Sequence, residues 1–109
     1  MLNTKELEQA KESINNYIFS EFEHDANFED LKNIPLAYTT ITDYEIPIQV
    51  SIDLINMKIN TYIGADEPTA EDLATSEKIT LDEILKGFDF DSLISGYEEI
   101  ALDRYPTGL

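Results

Sequence analysis

The sequence predicts an α+β domain in which an antiparallel meander of three to four strands carries an N-terminal helix and C-terminal helices on one face. Three observations predict it. Apolar residues recur at helical spacing near the start, the period changes to two in the middle, and helix-capping signatures return near the end. With 109 residues, 42% of them hydrophobic, five Phe and six Tyr, the chain has apolar material for one core and no room for a second. Residues 1–109 therefore read as a single domain.

Asn3 or Thr4 can cap a first helix, with Glu6 placed to complete a capping box from Asn3. Leu7, Ala10, Ile14, Tyr17, Ile18 and Phe22 follow at intervals of three and four, which predicts an amphipathic helix over about 4–23. Its solvated face carries Glu8, Glu12, Asn15, Asn16 and Ser20. The segment 28–34 has the composition to add a helical turn or two before Pro35 stops it. Ile46, Ile48, Val50, Ile52 and Leu54 then alternate with Pro47, Gln49, Ser51 and Asp53, the pattern of a half-buried strand. Residues 36–42 and 57–63 flank it as further strands, joined by polar links at 43–45 and around Asn56. Pro47 cannot donate to a central ladder and belongs at the start of its strand.

Residues 64–75 hold Gly, Pro and four acids with little apolar content and read as a mobile loop; an edge strand near 74–79 is an option. Thr80 and Glu83 form another capping box for a short helix that Gly87 ends. Asp89 or Asp91 caps a last helix carrying Leu93, Ile94, Tyr97, Ile100 and Ala101, ended by Pro106. Helices on the apolar sheet face leave the other face wet, presenting Gln49, Ser51, Lys58, Asn60 and Tyr62.

Twenty-three acidic residues against seven basic ones give a net charge of −16 at pH 7. That sign repels phosphate backbones and anionic membrane surfaces, so the expected partner is a basic protein, with no direct nucleic-acid or membrane binding. No stretch approaches the apolar length of a membrane span, and the first residues lack a basic region followed by an apolar run. With no cysteine in the chain, a cytoplasmic location is expected.

Catalytic chemistry is hard to write with these residues. His24 is the single histidine, and no serine sits in a glycine-rich elbow. Just past the first helix, His24 suits the negative end of the helix dipole. Four glycines, at 64, 87, 96 and 108, make neither a phosphate loop nor a dinucleotide fingerprint, so no cofactor is expected. Asp89-Phe90-Asp91 supplies the first two ligands of a calcium loop, but Leu93 and Ile94 stand where a third ligand and the turn glycine belong. Asp89 and Asp91 are better read as helix caps, and no metal site is expected. The acids fall into three clusters: 21–30, 66–77 and 89–103. Within the second, the loop acids Asp66, Glu67, Glu71 and Asp72, with Tyr62 on the adjoining strand, are the candidate partner-binding residues. Rows of carboxylates on helices, about 6 Å apart at i,i+4, can imitate a phosphate track and compete for a basic groove.

The run Leu36-Ala37-Tyr38-Thr39-Thr40, then Ile48 to Leu54 leading into Met57 to Tyr62, and after the acidic loop Phe88 to Ile94, resembles the large polyvalent protein-associated domains of phages, plasmids and conjugative transposons. The resemblance covers residues 36–94 and brings no catalytic residues. It implies a mobile-element setting, in which anti-restriction and anti-CRISPR proteins counter host defence, several of them as acidic DNA mimics. The leading expectation is accordingly an acidic, non-enzymatic interaction protein that occupies the basic groove of a nucleic-acid-processing enzyme. The alternative is an immunity or antitoxin protein that sequesters a cognate toxin through aromatic anchors such as Tyr38, Tyr62 and Tyr97.

Overall fold

A computed structural model describes residues 2–41, 45–95 and 97–104. Helix α1 spans Thr4–Phe22, followed by strands β1 (Ile34–Ile41), β2 (Ile46–Asp53), β3 (Lys58–Ile63) and β4 (Leu73–Lys78). Three short helices close the chain: α2 (Leu81–Lys86), α3 (Phe90–Ile94) and α4 (Tyr97–Arg104). The strands form one antiparallel sheet in the order β1-β2-β3-β4, so the α+β meander read from the sequence is the fold.

Local chemistry sets most of the element boundaries. Asn3 accepts from the backbone N–H of Glu6 while the Glu6 carboxylate accepts from that of Asn3, which starts α1. Glu23 ends it in a left-handed conformation, its N–H bonded to the Phe19 carbonyl at 2.9 Å. Thr80 and Glu83 start α2 in the same reciprocal way, and Gly87 ends it at φ 98°.

The segment after α1 is not helical as expected. Asn27 accepts from the N–H of Glu29 and Asp30 from that of Lys32, so side chains of the turn type capture the backbone donors that a helix needs. Strand β1 then begins at Ile34 and runs through Pro35, which an edge strand tolerates. The expected loop at 64–75 is also shorter, because Thr69 and Asp72 cap a 3-10 turn over Ala70–Asp72 that leads straight into β4. The single last helix becomes two, α3 capped by Asp89 and α4 starting at Tyr97. The expected link at 43–45 falls largely, and the Pro106 stop wholly, outside the described residues.

All the helices cover one face of the sheet in two halves. Ala10, Ile14, Tyr17 and Ile18 of α1, with Ile84 of α2, pack on Ile34, Leu36, Ile52 and Leu54. Ile94 of α3 and Ala101 of α4 pack on Ala37, Ile46, Ile48, Val50 and Ile63, while Phe90 and Leu93 touch both groups. Ser13 ties α1 to α2 by donating to the Ile84 carbonyl at 2.9 Å.

Two bulges re-phase the edge strands. In β1 the register shifts between Pro35 and Ala37, so Leu36 and Ala37 both face the core. In β4 it shifts at Ala74, which separates Leu73 from Thr75 although they are two residues apart. The hairpin between β2 and β3 is held by Asp53, whose carboxylate accepts from the N–H groups of Ile55 and Asn56 at 2.9 Å and from Asn56 Nδ2 at 2.8 Å.

Candidate protein-interaction surfaces

Alternation places Gln49, Ser51, Lys58, Asn60 and Tyr62 together on the sheet face away from the helices, as expected. Register extends that face into rows across all four strands. Tyr38, Gln49, Tyr62 and Leu73 are successive partners, and next to them run Pro35, Ser51, Asn60 and Ser76. A third row holds Asp53, Lys58 and Lys78. The face is drier than alternation implies. Ser51 is wholly buried and accepts from Gln49 Nε2 at 2.9 Å, while Asp53 is 7% exposed because it turns into its hairpin. Small side chains in the middle row leave their neighbours to close over them. Tyr38 is 41% exposed and Leu73 38%.

This face also departs from the rest of the molecule in charge, for it carries two lysines and one inward-turned aspartate. Apart from Glu77 on β4, the other described acids lie on loops and on the outer sides of the helices, among them Glu8, Glu12 and Glu21 on α1, Asp82 and Glu83 on α2, Asp91 on α3, Glu99 and Asp103 on α4. Between described side chains one ion pair forms, Lys11 Nζ to Glu8 Oε1 at 3.9 Å.

The loop acids predicted to bind a partner do not form one patch of equivalent groups. Asp66 accepts from the Tyr38 hydroxyl at 2.8 Å, which pins the loop to the end of the open sheet face. Asp72 is half-buried and accepts from the N–H of Thr69 at 2.8 Å as the cap of the 3-10 turn. Glu71 has an interaction partner of its own. Glu67 is exposed. Tyr62 lies in the open-face row beside Gln49 and Leu73.

His24 lies exposed just beyond α1, its ring stacked on Phe22 at 5.9 Å between centroids, with Nδ1 2.9 Å from the Asp25 carbonyl that accepts from it. Asp89 accepts from the N–H groups of Asp91 and Ser92, the capping role read from the sequence. Among the described residues no three His, Cys, Asp or Glu side chains converge to hold a metal ion. No helix among them is long and apolar enough to cross a membrane.

One feature had no signal in the sequence. The end of α1, residues 24–27 and the outer edge of β1 border a half-open cavity of about 360 Å³, lined by the apolar Ile18, Phe22, Ala26, Ile34, Pro35, Ala37 and Tyr38 and the polar His24, Asp25 and Asn27. Its walls come from segments that meet only when α1 packs on β1, so no local motif marks it.

Compared with known protein families, with characterised proteins and with solved structures, the chain matches none.

Proposed function

We propose that this chain is a non-catalytic interaction protein of a mobile genetic element, whose acidic helical layer occupies the basic groove of a host nucleic-acid-processing or defence enzyme as a DNA mimic in the cytoplasm. The observation that carries the reading is segregation of charge. A net charge of −16 is concentrated on helix faces and loops with a single ion pair between described side chains, while the open sheet face is nearly free of acids. Like-charge pairs such as Glu8 and Glu12 cost about 0.2–0.5 kcal/mol each on an exposed helix, a burden that stability alone does not favour. An acidic layer opposite a neutral face gives a basic partner one side to bind.

The test is competition. Proteins held by the immobilised chain at low salt should be nucleic-acid enzymes that duplex DNA displaces, and binding should weaken by ~10-fold or more between ~50 and ~200 mM salt. Captured proteins indifferent to both salt and DNA would sink the reading.

The row of Tyr38, Gln49, Tyr62 and Leu73 favours a second reading, an immunity or antitoxin protein that sequesters a toxin on its open sheet face. Tyr97 is not part of that row; it is on α4, its hydroxyl 3.5 Å from Thr75 Oγ1. Tyr38→Ala and Tyr62→Ala would abolish binding under this reading, whereas under the first they would leave it intact and the double reversal Glu8→Lys, Glu12→Lys on α1 would weaken it.

A further inference from the structure

Strand β1 is an edge strand, and beyond its ladder to β2 its backbone makes no hydrogen bond among the described residues. Alternation fixes which groups point outward. The Pro47 carbonyl is used on the β3 side, accepting from Gly64 N–H at 2.9 Å, so Ile48 and Val50 turn toward β1 and Gln49 away. Opposite them, Thr39 faces β2, and the N–H and C=O of Tyr38 and Thr40 face out. Edge strands are normally guarded by charge. The other edge, β4, carries Glu77 and Lys78, but the eight residues of β1 include no charged side chain.

Pro35 and the bulge at Leu36 blunt the first half of β1, which leaves Tyr38 to Ile41 as the open stretch, and the cavity of about 360 Å³ lies directly beside it. The cavity has room for about a dozen waters at ~30 Å³ each, yet its accessible walls are mainly Phe22, Ala26, Pro35 and the Tyr38 ring, which satisfy none of their hydrogen bonds, with Ile34 and Ala37 buried beneath. An apolar group is therefore the favoured occupant. Asp25 and His24 line it, and the adjoining chain carries Glu21, Glu23, Glu29 and Asp30, all exposed, against the single Lys32.

We propose that β1 accepts an extended segment of a basic partner as a fifth strand, with one apolar side chain of that segment, of leucine to phenylalanine size, seated in the cavity between α1, residues 24–27 and β1. Main-chain bonds to Tyr38 and Thr40 supply affinity, the cavity selects the anchor, and the surrounding acids select a basic segment over a neutral one. The inference rests on the acidic-surface reading and adds a sequence preference that charge alone lacks. A second copy of the chain pairing through β1 is disfavoured, since a two-fold contact would bring this acidic cluster against itself.

The test titrates the intact chain with a short synthetic peptide of alternating lysine and leucine, followed by amide NMR spectra. Thr40→Pro removes an outward N–H without touching the ladder to β2, and Ala26→Leu fills the cavity; melting curves establish that each folds. The expected result is shifts confined to residues 24–27 and 37–41, with affinity at least about tenfold weaker in each variant and for a peptide with serine in place of leucine. Binding that salt abolishes but both variants retain overturns strand addition and leaves the acidic-surface reading standing. A dimer of the chain alone that Thr40→Pro dissolves overturns it in favour of self-pairing.

Discussion

Replacing Tyr17 by Phe should stabilise this protein, and the gain should grow in alkali. Tyr17 sits in the core between α1 and the later helices, its ring edge-on to Phe88 at 5.3 Å between centroids. Its hydroxyl is buried and has no hydrogen-bond partner among the described residues. An unsatisfied buried polar group costs about 1–3 kcal/mol, and Phe keeps the ring contact while removing the group. At an unfolding entropy of ~2.1 cal/mol/K per residue, each kcal/mol moves the Tm of a chain of 109 residues by about 4 °C. A rise of about 4 °C or more is therefore expected at pH 7.

The pH dependence follows from the same burial. Burial first, then the charges of Glu21, Asp89 and Asp91, push the Tyr17 hydroxyl well above its ordinary value. An unfolded tyrosine releases its proton near pH ~10. Above that pH the folded chain still holds a proton that the unfolded chain has lost, so stability is full below ~10 and falls as pH climbs toward the folded value. The loss is at most ~1.4 kcal/mol per pH unit from this group. Thermal unfolding of both proteins followed by circular dichroism between pH 7 and 11 reads the difference. A Tyr17→Phe variant less stable at pH 7, or one that loses stability in alkali as steeply as the parent, would refute the reasoning.

Asp53→Ala removes three hydrogen bonds from the β2–β3 hairpin and should cost about 2–3 kcal/mol in urea unfolding; a cost under ~0.5 kcal/mol would show that the turn holds without its carboxylate. Added salt should raise the Tm, because a net charge of −16 with one described ion pair leaves repulsion as the dominant surface term. A Tm that fell between low and moderate salt would contradict this.

The legible parts of the fold are those whose chemistry is local. Asn3 with Glu6 and Thr80 with Glu83 are capping boxes in the sequence and in the structure, because each needs only residues three apart. The alternation of Ile46, Ile48, Val50 and Ile52 assigned β2 its core face for the same reason. Residues 28–34 were misread as helical because Asn27 and Asp30 compete for the same backbone donors, and helical spacing of apolar residues does not register that competition. Of the candidate site, Tyr62 and the exposure of Glu67 were readable, whereas the ties of Asp66 to Tyr38 and Asp72 to Thr69 depend on where the loop lands.

Residue period, capping pairs and composition suffice for the α+β class, the start of α1, the central strand and the acidity of the helix faces. Strand pairing settles which edge-strand residues share a surface. Simple alternation would group Leu36 with Tyr38 and Leu73 with Thr75; the bulges send Leu36 inward and Tyr38 outward, and place Leu73 beside Tyr62. A bulge is a mismatch in length between two paired strands, so neither strand encodes it alone. The same holds for the cavity beside β1, which exists because α1 and β1 pack without filling the space between them, a property of the packed pair and of neither element alone.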